Sequence, residues 1–344
     1  MTWSILFALS FSTAAAAVGV ERSRIGAFNI EVFGISKISK PAVVDIIVAI
    51  LQRYDLVLVQ EIRDKSETAI YDLLAVLNNA TNDAYNATIS ERLGRTNSKE
   101  QYAFFYRTAT WKVLDTLHHN DSESDLFERE PYAILVQDAD ECSPQFSLIA
   151  AHISPSDAVA ELTHLVAAYN ETVSQWNVTD SLLLGDFNAG CSYVPKKAWD
   201  QIALWTDERF TWLLDNSVDT TVAASSCPYD RFVVAGSALL SSVINGSANV
   251  FRFDSEYNLT IDEADDVSDH YPIELDLRLV GCKTQPPSVS AHPTVSTATA
   301  TATVDLEIIT STSGGINTTT RSSAAYLGSN SFALILAVGL AFFY

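Results

Sequence analysis

Three apolar runs in this chain stop on groups that can do chemistry. LVLVQE (56–61) ends on Glu61, SLIAAH (147–152) on His152, and SLLLGDFN (181–188) on Asp186 and Asn188. Leucines in a row seek burial, so each run reads as an anchored strand with a polar tool at its tip. Side chains two apart on a strand share a face, which puts Asp186 and Asn188 on one side of the chain. Glu61 and Asp186 together can hold one divalent cation. Hard carboxylate oxygens suit Mg²⁺, Mn²⁺ or Ca²⁺ rather than Zn²⁺. An imidazole that titrates near neutrality can serve as general base or acid. Each residue taken alone has a plainer reading. Asp and Asn after a strand form turns, and a lone His is usually a hydrogen-bonding residue. His118, His119, His164 and His292 are read in that plain way. Only the set argues for a site.

Such a set needs rigid strands whose carboxyl ends meet at one crevice, as in layered α/β proteins. The sequence supplies candidates. RIGAFNI (24–30) reads as a strand, and apolar residues at 43, 44, 47, 50 and 51 follow helical spacing behind Pro41. Apolar positions 70, 73, 74 and 77 mark a second helix with Ser66 as its N-cap. Strands QYAFFY, WKVLDTL, YAILVQ and FSLIAAH follow, then a long helix over 155–176 and a last alternating strand, YPIELDLRL (271–279). There is no internal repeat of fixed period. The expected fold class is α/β: two packed mixed β-sheets flanked by helices.

The ends differ from the middle. Residues 3–17 are apolar and then small, the pattern of a signal peptide (1–17) cleaved near Ala17; a buried N-terminal helix is the alternative. Residues 283–330 are rich in Ser, Thr and Pro and read as a stalk. The apolar tail at 331–344 is short for a bilayer and has no basic anchor after it. With small residues upstream at Ser322–Ser323–Ala324, or at Ser313–Gly314–Gly315, it reads as a glycosylphosphatidylinositol signal; a membrane-spanning tail is the alternative. The folded domain is thus expected over 24–281. Its four cysteines, Cys142, Cys191, Cys227 and Cys282, allow three pairings, and no C-x2-C spacing favours zinc. Eight N-x-[ST] sequons fit an exported chain with its cell-surface or extracellular location. The formal net charge of −21 argues against a generic nucleic-acid binder, unless bound cations act locally.

Seven blocks then stand in order: AFNIEVFG, YDLVLVQEIRD, LGRTNSKEQY, AHISPSDAVAEL, LLLGDFNAGCSYV, CPYDRFVVAGS and SDHYPIELDL. Together they resemble the deoxyribonuclease I family and span nearly all of 24–280. The resemblance implies a four-layer α/β sandwich and metal-dependent hydrolysis of double-stranded DNA, with Mg²⁺ or Mn²⁺ and Ca²⁺ as cofactors. The anchored tail resembles the family's membrane-attached branch. By the same resemblance, Glu61 and Asp186 hold the catalytic metal, with Asn29, Asn188 and Asp269 close to metal and phosphate. His152 pairs with Glu100, and His270 with Asp230; which is base and which acid stays open. Arg63, Arg95, Arg129 and Tyr193 are implied backbone contacts, and Asp219 with Thr221 a calcium loop. The main disulfide is implied at Cys191–Cys227, with Cys142–Cys282 expected as a second. A monomer is expected; binding to actin is left open.

Three departures stand out. The family normally has Arg where Glu31 stands, and a groove-inserting Tyr near Ser98. The loop over 118–130 is spaced differently from the family's calcium loop. A lost Arg and a gained Glu weaken the electrostatic grip on DNA. Two other functions compete: another phosphoesterase of the same fold, such as a phosphoinositide phosphatase or a sphingomyelinase, and a non-catalytic surface binding module. A simple turn at Tyr229–Asp230–Arg231 with a surface salt bridge is the plain alternative for that block.

Overall fold

The structure, a computed structural model, describes residues 21–222 and 226–280. The expected signal, stalk and tail segments, His292 and Cys282 lie outside the described residues.

Among the described residues, twelve strands form two six-stranded sheets. The first holds β1 (Glu21–Phe33), β2 (Leu56–Ile62), β3 (Tyr85–Ile89), β4 (Gln101–Arg107), β11 (Asn249–Val250) and β12 (Ile273–Leu279), in the order β11-β12-β1-β2-β4-β3. The second holds β5 (Trp111–His118), β6 (Tyr132–Asp138), β7 (Phe146–Ala150), β8 (Ser181–Asp186), β9 (Phe210–Trp212) and β10 (Asp230–Ala235), in the order β5-β6-β7-β8-β10-β9. Each sheet has one parallel pair at its centre, β1 with β2 and β7 with β8. A parallel pair puts both carboxyl ends on the same edge, so each sheet offers two adjacent tips.

Strand alternation builds the layers. Leu56 and Leu58 of β2 meet Leu182 and Leu184 of β8 in the core between the sheets. Val57 and Val59 face the helices Pro41–Leu51 and Ala69–Thr81 on the outside of the first sheet. Leu183 and Phe187 face helix Ala158–Trp176 on the outside of the second. The result is helix, sheet, sheet, helix: the four-layer sandwich expected from the sequence. The apolar surface between the sheets is the main cohesive force.

Two local expectations are corrected. Helix Ala69–Thr81 starts three residues after Ser66, which does not cap it. Asp64 does that work, its carboxylate accepting from the backbone N–H groups of Thr68 (2.8 Å) and Ala69 (2.9 Å). Burial opposes the charge on Asp64, yet these bonds hold its pKa at about 2. Tyr229–Asp230–Arg231 is no surface turn: β10 begins at Asp230, and both Asp230 and Arg231 are buried.

Candidate active site

The four strand tips carry the site. In β1 and β2 the chain slips phase just before it ends. Phe28 and Ile30 face the outer helices, but Phe33 rather than Val32 continues that face, and Val32 is exposed. In β2, Val57 and Val59 are followed on that face by Ile62 rather than Glu61. Left-handed backbone at Glu31 (φ 45°), Val32 (φ 46°) and Glu61 (φ 59°) accounts for the slip. The ladder registers shift at the same points. Plain alternation would bury the Glu61 carboxylate among the helices. The bulge turns it toward Asn29 instead, at the cost of a strained backbone.

Asn29 amide nitrogen Nδ2 then donates to Glu61 Oε1 (3.1 Å) and to Asp186 Oδ2 (3.2 Å), joining carboxylates from opposite sheets. Val32 N–H donates to Glu61 Oε2 at 2.9 Å. Asp186 is the centre of the arrangement. Its Oδ2 also lies 3.5 Å from His152 Nε2 and 3.6 Å from His270 Nε2. Behind each imidazole stands a carboxylate: His152 Nδ1 donates to Glu100 Oε2, and His270 Nδ1 to Asp230 Oδ2, both at 2.8 Å. Both rings are therefore fixed with Nε2 toward Asp186.

Second contacts fix these groups further. Tyr102 hydroxyl accepts from His152 N–H at 2.9 Å. Ser268 Oγ donates to Asn29 O (2.7 Å) and accepts from His270 N–H (3.0 Å), tying the first sheet to the His270 segment. Glu161, fully buried, accepts from Glu128 N–H (2.9 Å) and Ser154 N–H (3.0 Å), and so braces the stretches that carry Arg129 and His152. Its burial raises its pKa despite those bonds. Lys37 is buried beneath Glu31, donating to the carbonyls of Ile30 (2.9 Å), Glu31 (2.6 Å) and Val267 (3.1 Å). None of Tyr102, Ser268, Glu161 or Lys37 stands out in the sequence as a site residue.

The other expected residues divide. Arg129 Nε donates to His152 O (3.2 Å) and lies 3.6 Å from Glu100 Oε2, so it belongs to the cluster. Arg63 is near enough to help hold the Glu100 carboxylate charged. Arg95 is bound instead to Asp125, at 2.7 Å, on the loop beside the site. Tyr193 stacks on Tyr229 at 5.2 Å, and Tyr229 in turn lies 6.3 Å from the His270 ring. Asn188 does not follow strand alternation: β8 ends at Asp186, and Asn188 is left-handed (φ 46°). Its backbone N–H donates to Asp186 Oδ1 (2.9 Å) and its amide to Ile153 O (2.8 Å), so it orients Asp186 through a turn. Cys191–Cys227 is a disulfide joining the loop after β8 to the approach to β10. Asp219 Oδ1 accepts from Thr221 N–H (3.0 Å) and Oγ1 (2.9 Å); residues 223–225 of that loop lie outside the described residues.

The donor chemistry fits a hard divalent cation. Asp186, Asp230 and His270 bring ligand atoms within 4.8 Å of one another. The His270–Asp230 bond already occupies part of that group, which favours Asp186 with Glu61 for the ion. Asp269, expected as a ligand, is half-exposed. Its Oδ1 is buried with no hydrogen-bond partner among the described residues and lies 3.8 Å from His270 Nε2. Burial, with Glu31, Glu61 and Asp186 close by, lifts the Asp269 pKa to about 6. Crowded carboxylates of this kind call for positive charge.

A model of the endonuclease/exonuclease/phosphatase family matches residues 26–270. Deoxyribonuclease-1 of Bos taurus is 43% identical over 258 residues, covering 74% of this chain and 92% of the relative. The chain belongs to the deoxyribonuclease I family. Deoxyribonuclease gamma of Homo sapiens is 42% identical over 261 residues, 74% of this chain and 86% of the relative. Among solved structures, an endonuclease/exonuclease/phosphatase from Bacteroides vulgatus superposes with a TM-score of 0.52 at 16% identity, covering 75% of this chain and 99% of that one, a likeness of fold alone. The deoxyribonuclease I family thus accounts for the two-sheet frame. The site described above sits at the end of it where both parallel pairs stop.

Proposed function

We propose that this chain is a metal-dependent endodeoxyribonuclease that cleaves double-stranded DNA and leaves 5′-phosphate ends. The observation that carries the reading is the meeting of Asn29, His152 and His270 on Asp186 Oδ2. Hydrolysis of a phosphodiester asks for a base to take a proton from the attacking water and an acid to give one to the leaving 3′ oxygen. His152 and His270 flank Asp186 with Nε2 free for those two transfers, and Glu100 and Asp230 keep each ring in the needed tautomer. Glu61 and Asp186, with Asn29 between them, would hold the divalent ion, which supplies positive charge to the phosphate as negative charge builds there. Arg63, Arg129 and Tyr193 would grip the flanking backbone. Arg95 joins them only after leaving Asp125.

The wider assignments belong to the same proposal. Mg²⁺ or Mn²⁺ serves the reaction, and Ca²⁺ stabilises the loop of Asp219 and Thr221. The enzyme works as a monomer outside the cell, exported by residues 1–17 and anchored through the tail at 331–344, with a second disulfide from Cys142 to Cys282.

Nicking of supercoiled plasmid by the purified ectodomain tests this. Cleavage with Mg²⁺ is expected to vanish with a chelator and to fall about 10²–10⁴-fold in His152→Ala and in His270→Ala. Equal nicking by wild type and both variants overturns the histidine roles. Release of phosphate or phosphocholine from lipid, with no nicking, moves the chain to another phosphoesterase; no turnover at all makes it a binding module.

A further inference from the structure

We infer that Gln60 is a positioning residue, whose amide joins the two sheets behind the site and fixes where Asp186 and His152 stand relative to Glu61. The inference rests on the endonuclease reading. Gln60 is fully buried and continues the inter-sheet face of Leu56 and Leu58. Its Nε2 donates to Ala151 O at 2.9 Å, and its Oε1 accepts from Asp186 N–H at 2.8 Å. Ala151 and Asp186 stand at the tips of β7 and β8; the next residue after each is His152 and Phe187. One side chain of the first sheet thus holds both central tips of the second, next to Glu61 on its own strand.

Gly185 makes the room. Its φ of +129° is one that L side chains rarely adopt. A Cβ there would lie 2.4 Å from Ala151 O and 2.8 Å from both the nitrogen and the oxygen of the Gln60 amide. Apolar contact between the sheets is non-directional and tolerates small slides. An amide bound at both ends is directional. Its loss leaves a buried N–H on Asp186 and a buried carbonyl on Ala151 unpaired. No other residue of this length offers a donor and an acceptor in one rigid plane. Misplacement of reacting groups by about 1 Å can cost about 10²-fold in rate.

The test compares Gln60→Leu and the isosteric Gln60→Glu with Ser147→Ala. Ser147 Oγ lies 2.6 Å from Ser181 Oγ, a buried link between β7 and β8 at their far ends. Three quantities are read on folded protein: Tm, kcat and KM for plasmid nicking, and the affinity for Mn²⁺ by calorimetry. All three variants are expected to melt earlier than wild type. Only the Gln60 variants are expected to lose kcat, by roughly 10–10²-fold, and to bind Mn²⁺ several-fold more weakly, with KM nearly unchanged. Gln60→Glu keeps an acceptor for Asp186 N–H and should lose less than Gln60→Leu; it also serves if the leucine variant does not fold. Wild-type kcat and Mn²⁺ affinity in folded Gln60 variants overturn the inference, as does an equal loss in Ser147→Ala. If the wild type nicks no DNA, the endonuclease reading fails while the Mn²⁺ comparison still decides the role of Gln60. A wild type that binds no Mn²⁺ overturns both.

Discussion

The two histidine–carboxylate pairs look alike but stand in different electrostatic surroundings. His152–Glu100 has a cation beside it: Arg129 Nε lies 3.6 Å from the same Glu100 oxygen that takes the His152 proton. Burial would raise Glu100, but the His152 bond, Arg129 and Arg63 together hold its pKa below the usual carboxylate range. Asp230 feels the charge of the buried Arg231 guanidinium, but among the described residues no cation bonds to it as Arg129 does to Glu100. Burial would lower the His270 pKa, but Asp230 and Asp186 hold it well above the ordinary histidine value. Asp230 Oδ1 is buried with no hydrogen-bond partner among the described residues, so there the ring is the carboxylate's one side-chain donor. The two pairs thus differ in what stands behind their carboxylates.

The largest expected effects break the pairs. Removing the ring in His270→Ala or His152→Ala is expected to cost about 10²–10⁴-fold in kcat, and the double variant little more than the worse single one, because the two act on one event. The carboxylates should then separate the pairs. Asp230→Asn removes the main charge that raises His270, and the pH dependence of kcat should shift downward in pH. Glu100→Gln keeps an acceptor for His152 but leaves Arg129 without its anion beside the ring; a loss of about tenfold in kcat is expected, roughly 1.4 kcal/mol of barrier. Equal losses in the two carboxamide variants break the comparison. NMR titration of His270 sharpens it. Mg²⁺ is expected to lower the pKa of His270, since a cation offsets Asp186. A rise, or no change at saturating Mg²⁺, counts against the ion sitting at Asp186.

How much of this was legible depends on how each residue is placed. Asp186 was legible because strand periodicity carries straight through SLLLGD to the inter-sheet face. Glu61 was found for an incomplete reason. Alternation with Val57 and Val59 would aim it into the helices, and only the left-handed bulge, silent in the residue types, turns it inward. Asn188 was expected on the face of Asp186 by a rule that stops where the strand stops. Gln60, one residue before Glu61, passed unnoticed because an amide in an apolar run resembles a tolerated polar residue. The pairing of Glu100 with His152, and of Asp230 with His270, came from family blocks; no local pattern joins residues that far apart. The two sheets were legible from composition and periodicity, but their strand order was not, because long-range pairing leaves no local signal.

A smaller effect concerns the rim. Glu31 stands where the resemblance implies an Arg, and Lys37 Nζ lies 3.5 Å from its carboxylate. Glu31→Arg adds a phosphate contact, so the slope of log affinity against log salt should steepen by about 0.9. The new cation would sit next to buried Lys37, whose pKa burial already lowers, so Tm should fall slightly. Tighter DNA binding with no change of slope would show that the side chain does not reach phosphate.

Asp269 gives the smallest and most specific shift. Its pKa rises from an ordinary 3.8 to about 6, by burial first and then by Glu31, Glu61 and Asp186. The folded protein therefore keeps a proton here that the unfolded chain gives up. A raised carboxylate favours folding at low pH, and that contribution is lost as pH climbs from near 4 through about 6. In the metal-free protein the Tm of wild type should fall, relative to Asp269→Asn, across that window. The side chain is half-exposed, so the difference is small and salt reduces it. Mg²⁺ should narrow it further, because positive charge stabilises the ionised carboxylate. Parallel Tm curves for the two proteins from pH 4 to 7 without metal would mean that Asp269, beside His270, does not feel the acidic cluster.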